Sequence, residues 1–407
     1  VWQDASFRRV WSAQVWSDIG DWASRLTMSL MVFGATESAF MAALVLTVSL
    51  LPALGPGQWL TFRMGLLPRR TIFVGTELTR AALLVALALF PGVALALLVS
   101  FATGLVRVPF VAQRAAMVPE IVGQDQIVAA TKVQQVTTNL TILLGYAAGG
   151  LLGGLLTTSM SLLFGAAAFA VSAALLASIV HPANRTPGTP ETAPRLSEGR
   201  AALRTLPAVT AAAALSVIAL GAGVAIESQA VPLAHTLPPV NLGGAPLPEE
   251  AAAAVLLIGC TLVAAVTAAA VPPGWRERAL LTWTAALIAG PAFAGALGFL
   301  VGGAWMPAIA LVVCGAMFGA VGPANAVAAI QLPAHQRAAV FALVIGALYA
   351  AQAVAGPFAG LVFDEFGPRG LAGLLVVPII ATVITHVLMT RRVPPSHAPS
   401  PAVPEHA

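Results

Sequence analysis

Charge is what this sequence has least of. Only 9% of its 407 residues are Asp, Glu, Lys or Arg, against about 25% in soluble chains, and Lys132 is the single lysine. So few charges cannot clothe a soluble globule of this size. The net charge of +4 is not clustered on a soluble face, which excludes nucleic acid as a partner. Cysteine is scarcer still: Cys260 and Cys314 fall in separate apolar runs, so no disulfide framework is expected and both read as buried small residues. The six histidines lack ligand spacing, and no metal site is expected. A phosphate-binding glycine loop and a catalytic triad are missing too. No enzyme activity, ATP hydrolysis or cofactor is therefore expected, and energy for uphill work would come from an ion gradient.

What the chain has in abundance is apolar length. Hydrophobic residues make up 58%, in repeated uncharged runs of about 20 residues, the length a helix needs to cross about 30 Å of hydrocarbon. Cutting at polar and Gly/Pro breaks gives spans 10–35, 39–62, 71–90, 93–113, 126–156, 160–181, 206–234, 250–271, 279–300, 304–331, 339–363 and 370–390. The pattern predicts an all-α membrane protein of twelve transmembrane helices in two six-helix bundles related by a pseudo-two-fold axis. The first run contains acids and no small-residue cleavage site, and reads as the first helix rather than a removable signal peptide. The expected domains are 1–181, an N-terminal bundle; 182–205, a Pro-rich linker with a short amphipathic turn at its C-terminal end; 206–392, a C-terminal bundle; and 393–407, a disordered Pro-rich tail.

Arginines set the expected orientation. With a cytoplasmic N-terminus, Arg8, Arg9, Arg63, Arg69, Arg70, Arg114, Arg276, Arg278, Arg337, Arg391, Arg392 and those of the linker all fall on the cytoplasmic side, leaving Arg369 outside with Glu37, Glu249, Glu250, Asp364 and Glu365. The positive-inside rule thus places both termini and the linker in the cytoplasm. The segment VPEIVGQDQIVAATK before Gly145–Gly150 has a counterpart in LPAHQRAAVFAL before Gly356–Gly360, so the fifth and eleventh helices correspond. Six-helix repeats of this kind are a transporter device in which two halves rock about a shared midplane site.

The opening FRRVWSAQVWSDIGDWASRLTMSLMVF, the loop and helix start QRAAMVPEIVGQDQIVAATKV and the six-plus-six pattern resemble the major facilitator superfamily, in particular the bacterial efflux branch with the enterobactin-exporter-like and macrolide-efflux-like proteins. Nearly the whole chain is covered. The resemblance implies a monomeric transporter of the bacterial inner membrane. Two positions depart from its pattern. The loop after the second helix, expected as G-x-x-x-D-R-x-G-R-R, puts Phe62 where the acid of a conformational-switch network belongs, while Arg63, Arg69 and Arg70 remain. In the fifth helix the antiporter pattern G-P-x-x-G-G reads Gly145-Tyr146-Ala147-Ala148-Gly149-Gly150, with Tyr for Pro. Gly145, Gly149 and Gly150, with Gly356, Pro357 and Gly360 in the eleventh helix, also suit close helix packing on general grounds.

Charged side chains near the bilayer centre cost about 2.5–3.5 kcal/mol on insertion scales and so tend to face partners or a water-filled cavity. Asp18, Asp21 and Arg25 share one face of the first helix, and Asp21 and Arg25 are spaced to pair. A structural ion pair, or a cap by Asp18, is the plainer reading; the resemblance implies that this helix lines the cavity. Arg107 in the fourth helix and Glu227 in the seventh complete the candidate charges, with Asn139, Asn325 and Gln331 as uncharged polar groups. Glu227, with no cation at helical spacing, is the better candidate proton carrier, unless it merely reaches the outer interface. Asp21 would orient or gate. Glu77 and Arg80 on the third helix read as structural. The expected substrate is a small amphipathic compound, hydrophobic or weakly cationic, although Arg25 and Arg107 leave room for an anionic head group; protons and membrane lipids are the other expected partners. Export by proton antiport is what the resemblance implies, with a lysophospholipid-like flippase or a transport-inactive scaffold as alternatives.

Overall fold

The computed structural model describes residues 5–64, 67–122, 127–178, 196–239, 241–242, 245–270, 277–332 and 334–391. Most of the expected linker, 182–195, and the expected tail lie outside them. The N-terminal half comprises α1 (Ala5–Thr36), α2 (Ala39–Leu50), α3 (Pro56–Met64), α4 (Arg69–Leu89), α5 (Val93–Val122), α6 (Ile127–Leu155) and α7 (Thr158–Ala177). After α8 (Leu196–Thr205), the C-terminal half comprises α9 (Pro207–Glu227), α10 (Ala230–Ala234), α11 (Glu249–Ala269), α12 (Glu277–Val301), α13 (Met306–Cys314), α14 (Ala316–Gly319), α15 (Val321–Gln331) and α16 (Ala334–Thr390). A two-residue pairing of Asn241–Leu242 with Ala245–Pro246 is the exception to an all-helical chain among the described residues.

By length and composition nine helical stretches among the described residues suffice to cross a membrane, Met306–Ala328 counting as one across α13 to α15, or ten if Ala39–Leu54 and Pro56–Met64, bent by 53°, form one span. The run 39–62 breaks there because Pro52 and Pro56 flank Gly55, and proline removes a helix donor and clashes with the preceding turn. α1 is not among the nine; Asp18, Asp21 and Arg25 interrupt it. The runs 339–363 and 370–390 both fall within α16, whose path is non-helical at Gly367 (φ 63°, ψ −162°). Pro368 disfavours a helical residue before it, and glycine accepts the positive φ. α9 stops at Glu227, and a short break at Ser228 and Gln229 precedes α10.

Within the N-terminal half α1 packs on α6 and α7, and α4 on α5 and α7; in the C-terminal half α9 and α12 pack on α16. α8, at the end of the expected linker, buries Ala202 beside Val209, Leu332 and Val340. The halves meet along two seams, α6 on α11 and α2 on α16. Helices in hydrocarbon associate by close packing rather than by exclusion from water, so small residues belong at such seams. A Cβ on Gly150 would strike Ala254 and come within 2.8 Å of the Glu250 carbonyl, and one on Gly360 would lie 2.5 Å from Phe40 Cα. These two glycines, from the corresponding fifth and eleventh expected helices, set how closely the halves approach.

Candidate functional site

Asp21 lies where three guanidiniums converge. Arg25, one turn along α1, places Nε 3.1 Å from its carboxylate; Arg107 of α5 approaches to 3.6 Å; Arg80 of α4 forms a third ion pair. Arg80 is 1% exposed and also holds Glu77 at 3.0 Å and the Ser17 hydroxyl at 3.0 Å, while its guanidinium stacks on Phe169. Thus the α4 pair, expected to be structural and apart from the site, is the buried anchor of Asp21. Asp18 pairs with Arg114 at 3.8 Å and is not a helix cap.

Between the halves lies a cavity of about 640 Å³, within the range of small-ligand sites. Arg25 and Arg107 line it from the N-terminal half, and Glu227 and Asn325 from the C-terminal half. Asp21 stands behind the two arginines. Asn139 lines the cavity as well, whereas Gln331 hydrogen-bonds Glu277. Trp22, Tyr349 and Gln352, which are not among the candidates read from the sequence, line it too, as do Thr261 and Phe318. A second cavity, of about 50 Å³, shares Trp22, Arg25, Leu46 and Glu227 with the first. Those four side chains form the partition between the two, and Arg25 and Glu227 are its only charged members.

Glu227 faces the cavity, and its Oε1 accepts a 2.9 Å hydrogen bond from the Tyr146 hydroxyl. Tyr146, the residue that departs from the glycine-proline pattern, packs edge-on against Trp22 with ring centroids 5.3 Å apart. Gly145 and Gly149 bring α6 against Trp22 and Ala23 of α1; Gly356 lies beside Ser228, and the Gly356 carbonyl accepts from Gln229. Pro357 is buried.

Beyond the small cavity, at the end of the molecule that carries Glu37, Glu249 and Asp364, the seam is closed. The Asp364 carboxylate of α16 accepts from the Ser38 hydroxyl (2.7 Å) and the backbone N–H groups of Ala39 (2.6 Å) and Phe40 (3.2 Å) at the start of α2. At the opposite, arginine-bearing end Phe62 is 80% exposed and Arg63 lies over the Trp59 ring, 5.1 Å from its centroid. Among the described residues Arg63 and Arg70 make no ion pair, and Arg69 begins α4.

No known family profile and no curated protein matches the sequence. Solved structures do match the fold. A variant of the nucleoside transporter NupG aligns with a TM-score of 0.73 at 13% identity, over 95% of this chain and 99% of its own. A variant of the peptide transporter POT in complex with sulfate aligns at 0.70 and 14%, over 95% of each chain. A bacterial homologue of the human lysosomal transporter Spinster, inward-facing and unoccupied, aligns at 0.69 and 14%, over 97% of this chain and 99% of its own. The chain accordingly has the all-helical, two-bundle fold of major facilitator transporters, and its apolar helices make it a multi-pass membrane protein.

Proposed function

We propose that this chain is a secondary transporter that exports a small amphipathic compound by alternating access, in exchange for protons. The observation that carries the reading is the cavity itself: each half contributes charged groups to it, Arg25 and Arg107 on one side and Glu227 on the other. A rocking motion about these groups would open the closed seam at Asp364 while the arginine-bearing ends come together. Glu227 is the proton-carrying residue of this scheme, since its only protein donor among the described residues is Tyr146 on the opposite half. Asp21, held by three arginines, positions Arg25 and Arg107. The direction of transport follows the efflux-branch resemblance, and the arginine-bearing end is the cytoplasmic one. The arginine wall favours a lysophospholipid-like cargo as the second reading.

Reconstitution into liposomes tests the scheme. Labelled amphipathic compounds should show counterflow, and a proton gradient should drive their accumulation until a protonophore dissipates it. Absence of substrate-dependent flux in every gradient would sink transport and leave a membrane scaffold.

A further inference from the structure

Four arginines, Arg25, Arg80, Arg107 and Arg114, stand in and behind the N-terminal wall of the cavity against three carboxylates, Asp18, Asp21 and Glu77. One positive charge is in excess. It is not spread evenly: Arg80 is enclosed by Glu77, Ser17 and Asp21, whereas Arg25 and Arg107 make no hydrogen bond among the described residues and share the single carboxylate of Asp21 through ion pairs. The Arg107 side chain is 30% exposed and lines the cavity. A guanidinium has five donors in a planar fork suited to a carboxylate or phosphate, and this wall offers two such forks with one anion between them.

The opposite wall has the complementary lack. Glu227 receives Tyr146 at Oε1, and Oε2 has no protein donor among the described residues. No salt bridge joins Glu227 to either arginine among the described residues, although Arg25 and Glu227 flank the same partition. Each half therefore presents to the cavity charged groups of one sign with hydrogen-bonding capacity to spare, and a ligand lying between them meets both. Ala264, Ala265 and Ala268 of α11 also line the cavity and leave an apolar strip for a ligand's body.

We propose that the cavity recognises a zwitterionic amphiphile, its anionic group at Arg107 and Arg25 and its cationic group at Glu227, with the apolar body against the α11 alanines. This deepens the transport reading and rests on it only in taking the cavity as the substrate site. It narrows the expected small amphipathic compound to one that carries both charges, because Arg25 and Arg107 face the cavity from one half and Glu227 from the other. Ligand ammonium and proton would compete for one carboxylate, which is the requirement for exchange.

The test is equilibrium binding to the purified full chain in nanodiscs, with four probes sharing a phenylbutyl tail: an α-amino acid, a carboxylate, an amine and an alcohol. The amino acid should bind about tenfold tighter or more than each of the others, one charge-assisted contact being worth at least that factor. Arg107→Gln should lower the amino acid to the level of the amine, and Glu227→Gln should lower it to that of the carboxylate. If the amine or alcohol binds wild-type protein as well as the amino acid, if the carboxylate alone equals it, or if no probe binds, the proposal fails. Selectivity among probes is read on wild-type protein, so misfolding of a variant does not decide it. Because no gradient is involved, zwitterion selectivity without flux would overturn transport and keep this inference, and flux without such selectivity would do the reverse.

Discussion

The Tyr146 hydroxyl donates to Glu227 across 2.9 Å, and the two residues belong to opposite halves of the molecule. Any motion that parts α6 from α9 breaks this bond. Tyr146→Phe removes it while keeping the ring against Trp22. A hydrogen bond to a charged group contributes about 1.5–3 kcal/mol, or roughly 10–150-fold in a two-state equilibrium. The variant should shift the chain toward the state open at the acid-bearing end, seen as a longer distance between spin labels at positions 35 and 366, both exposed. An unchanged distance distribution would mean the bond does not hold the halves together.

Asp364 is the second tie between halves, and it acts on the start of a helix. Its carboxylate takes two backbone N–H groups of α2 that have no intrahelical partner, at the positive end of the helix dipole. Asp364→Ala should open the same end with a change of about 0.5–2 kcal/mol, typical of losing a cap, and Asp364→Asn should open it less. If both variants melt at lower temperature with no change in the label distance, Asp364 is a cap for α2 and not a latch.

Burial makes Arg80 the group on which the α1–α4 contact depends. Removing one partner of a buried ion pair costs about 3–5 kcal/mol because the other charge is left uncompensated. Arg80→Met should therefore lower the thermal midpoint of the detergent-solubilised chain sharply. Adding Glu77→Gln should restore part of the loss, since it removes the carboxylate left stranded, whereas Asp21 keeps Arg25 and Arg107. Equal midpoints for wild type and Arg80→Met would refute this.

Periodicity made α1 legible: the spacing of Asp18, Asp21 and Arg25 gave a shared face, and the Asp21–Arg25 pair is there at 3.1 Å. The acid-x-x-Arg pair of α4 was legible as a pair, but not as Asp21's anchor, because the angle at which α4 faces α1 is set by packing against α7 and not by local sequence. In the sequence Tyr146 stands out only as a departure from a glycine-proline pattern. The chain has only two tyrosines, and both reach the region between the halves, Tyr146 at Glu227 and Tyr349 in the cavity wall; in so apolar a chain that scarcity was the available signal. Asp364 looks from the sequence like an outer-loop acid, since its partner, the start of α2, lies more than three hundred residues away. The breaks within 39–62 and 206–234 leave no mark in the hydropathy pattern, because an apolar run looks continuous whether or not its backbone bends.

Orientation in the membrane rests on the arginine distribution and has a direct test. With the arginine-bearing end cytoplasmic, a single cysteine at Ser197 in α8 should resist an impermeant thiol reagent in intact cells, and one at Pro246 should react. The native Cys260 and Cys314 are buried, which keeps the background low. Strong labelling at position 197 with none at 246 would invert the topology.

The choice of proton carrier separates two acids in very different surroundings. Asp21 is committed to Arg25, Arg80 and Arg107, and protonating it would strand Arg25 and Arg107 and leave Arg80 with Glu77 alone. Glu227 is faced by the Tyr146 hydroxyl from α6 and by Arg25 across the partition, and protonating it strands no ion pair among the described residues. Glu227→Gln mimics the protonated form in shape. Gradient-driven flux should collapse in this variant, by about 100-fold or more if the group is the coupling residue, while neutral and anionic ligands still bind without pH dependence. Asp21→Asn should act differently, by releasing Arg25 and Arg107 into the cavity: affinity for anionic ligands changes, and the pH dependence stays. Measuring ligand affinity across pH in both variants decides between them. Should the Gln variant keep wild-type pH dependence and coupled flux while the Asn variant loses both, Asp21 is the carrier, and its three arginines must move during the cycle to let it take a proton.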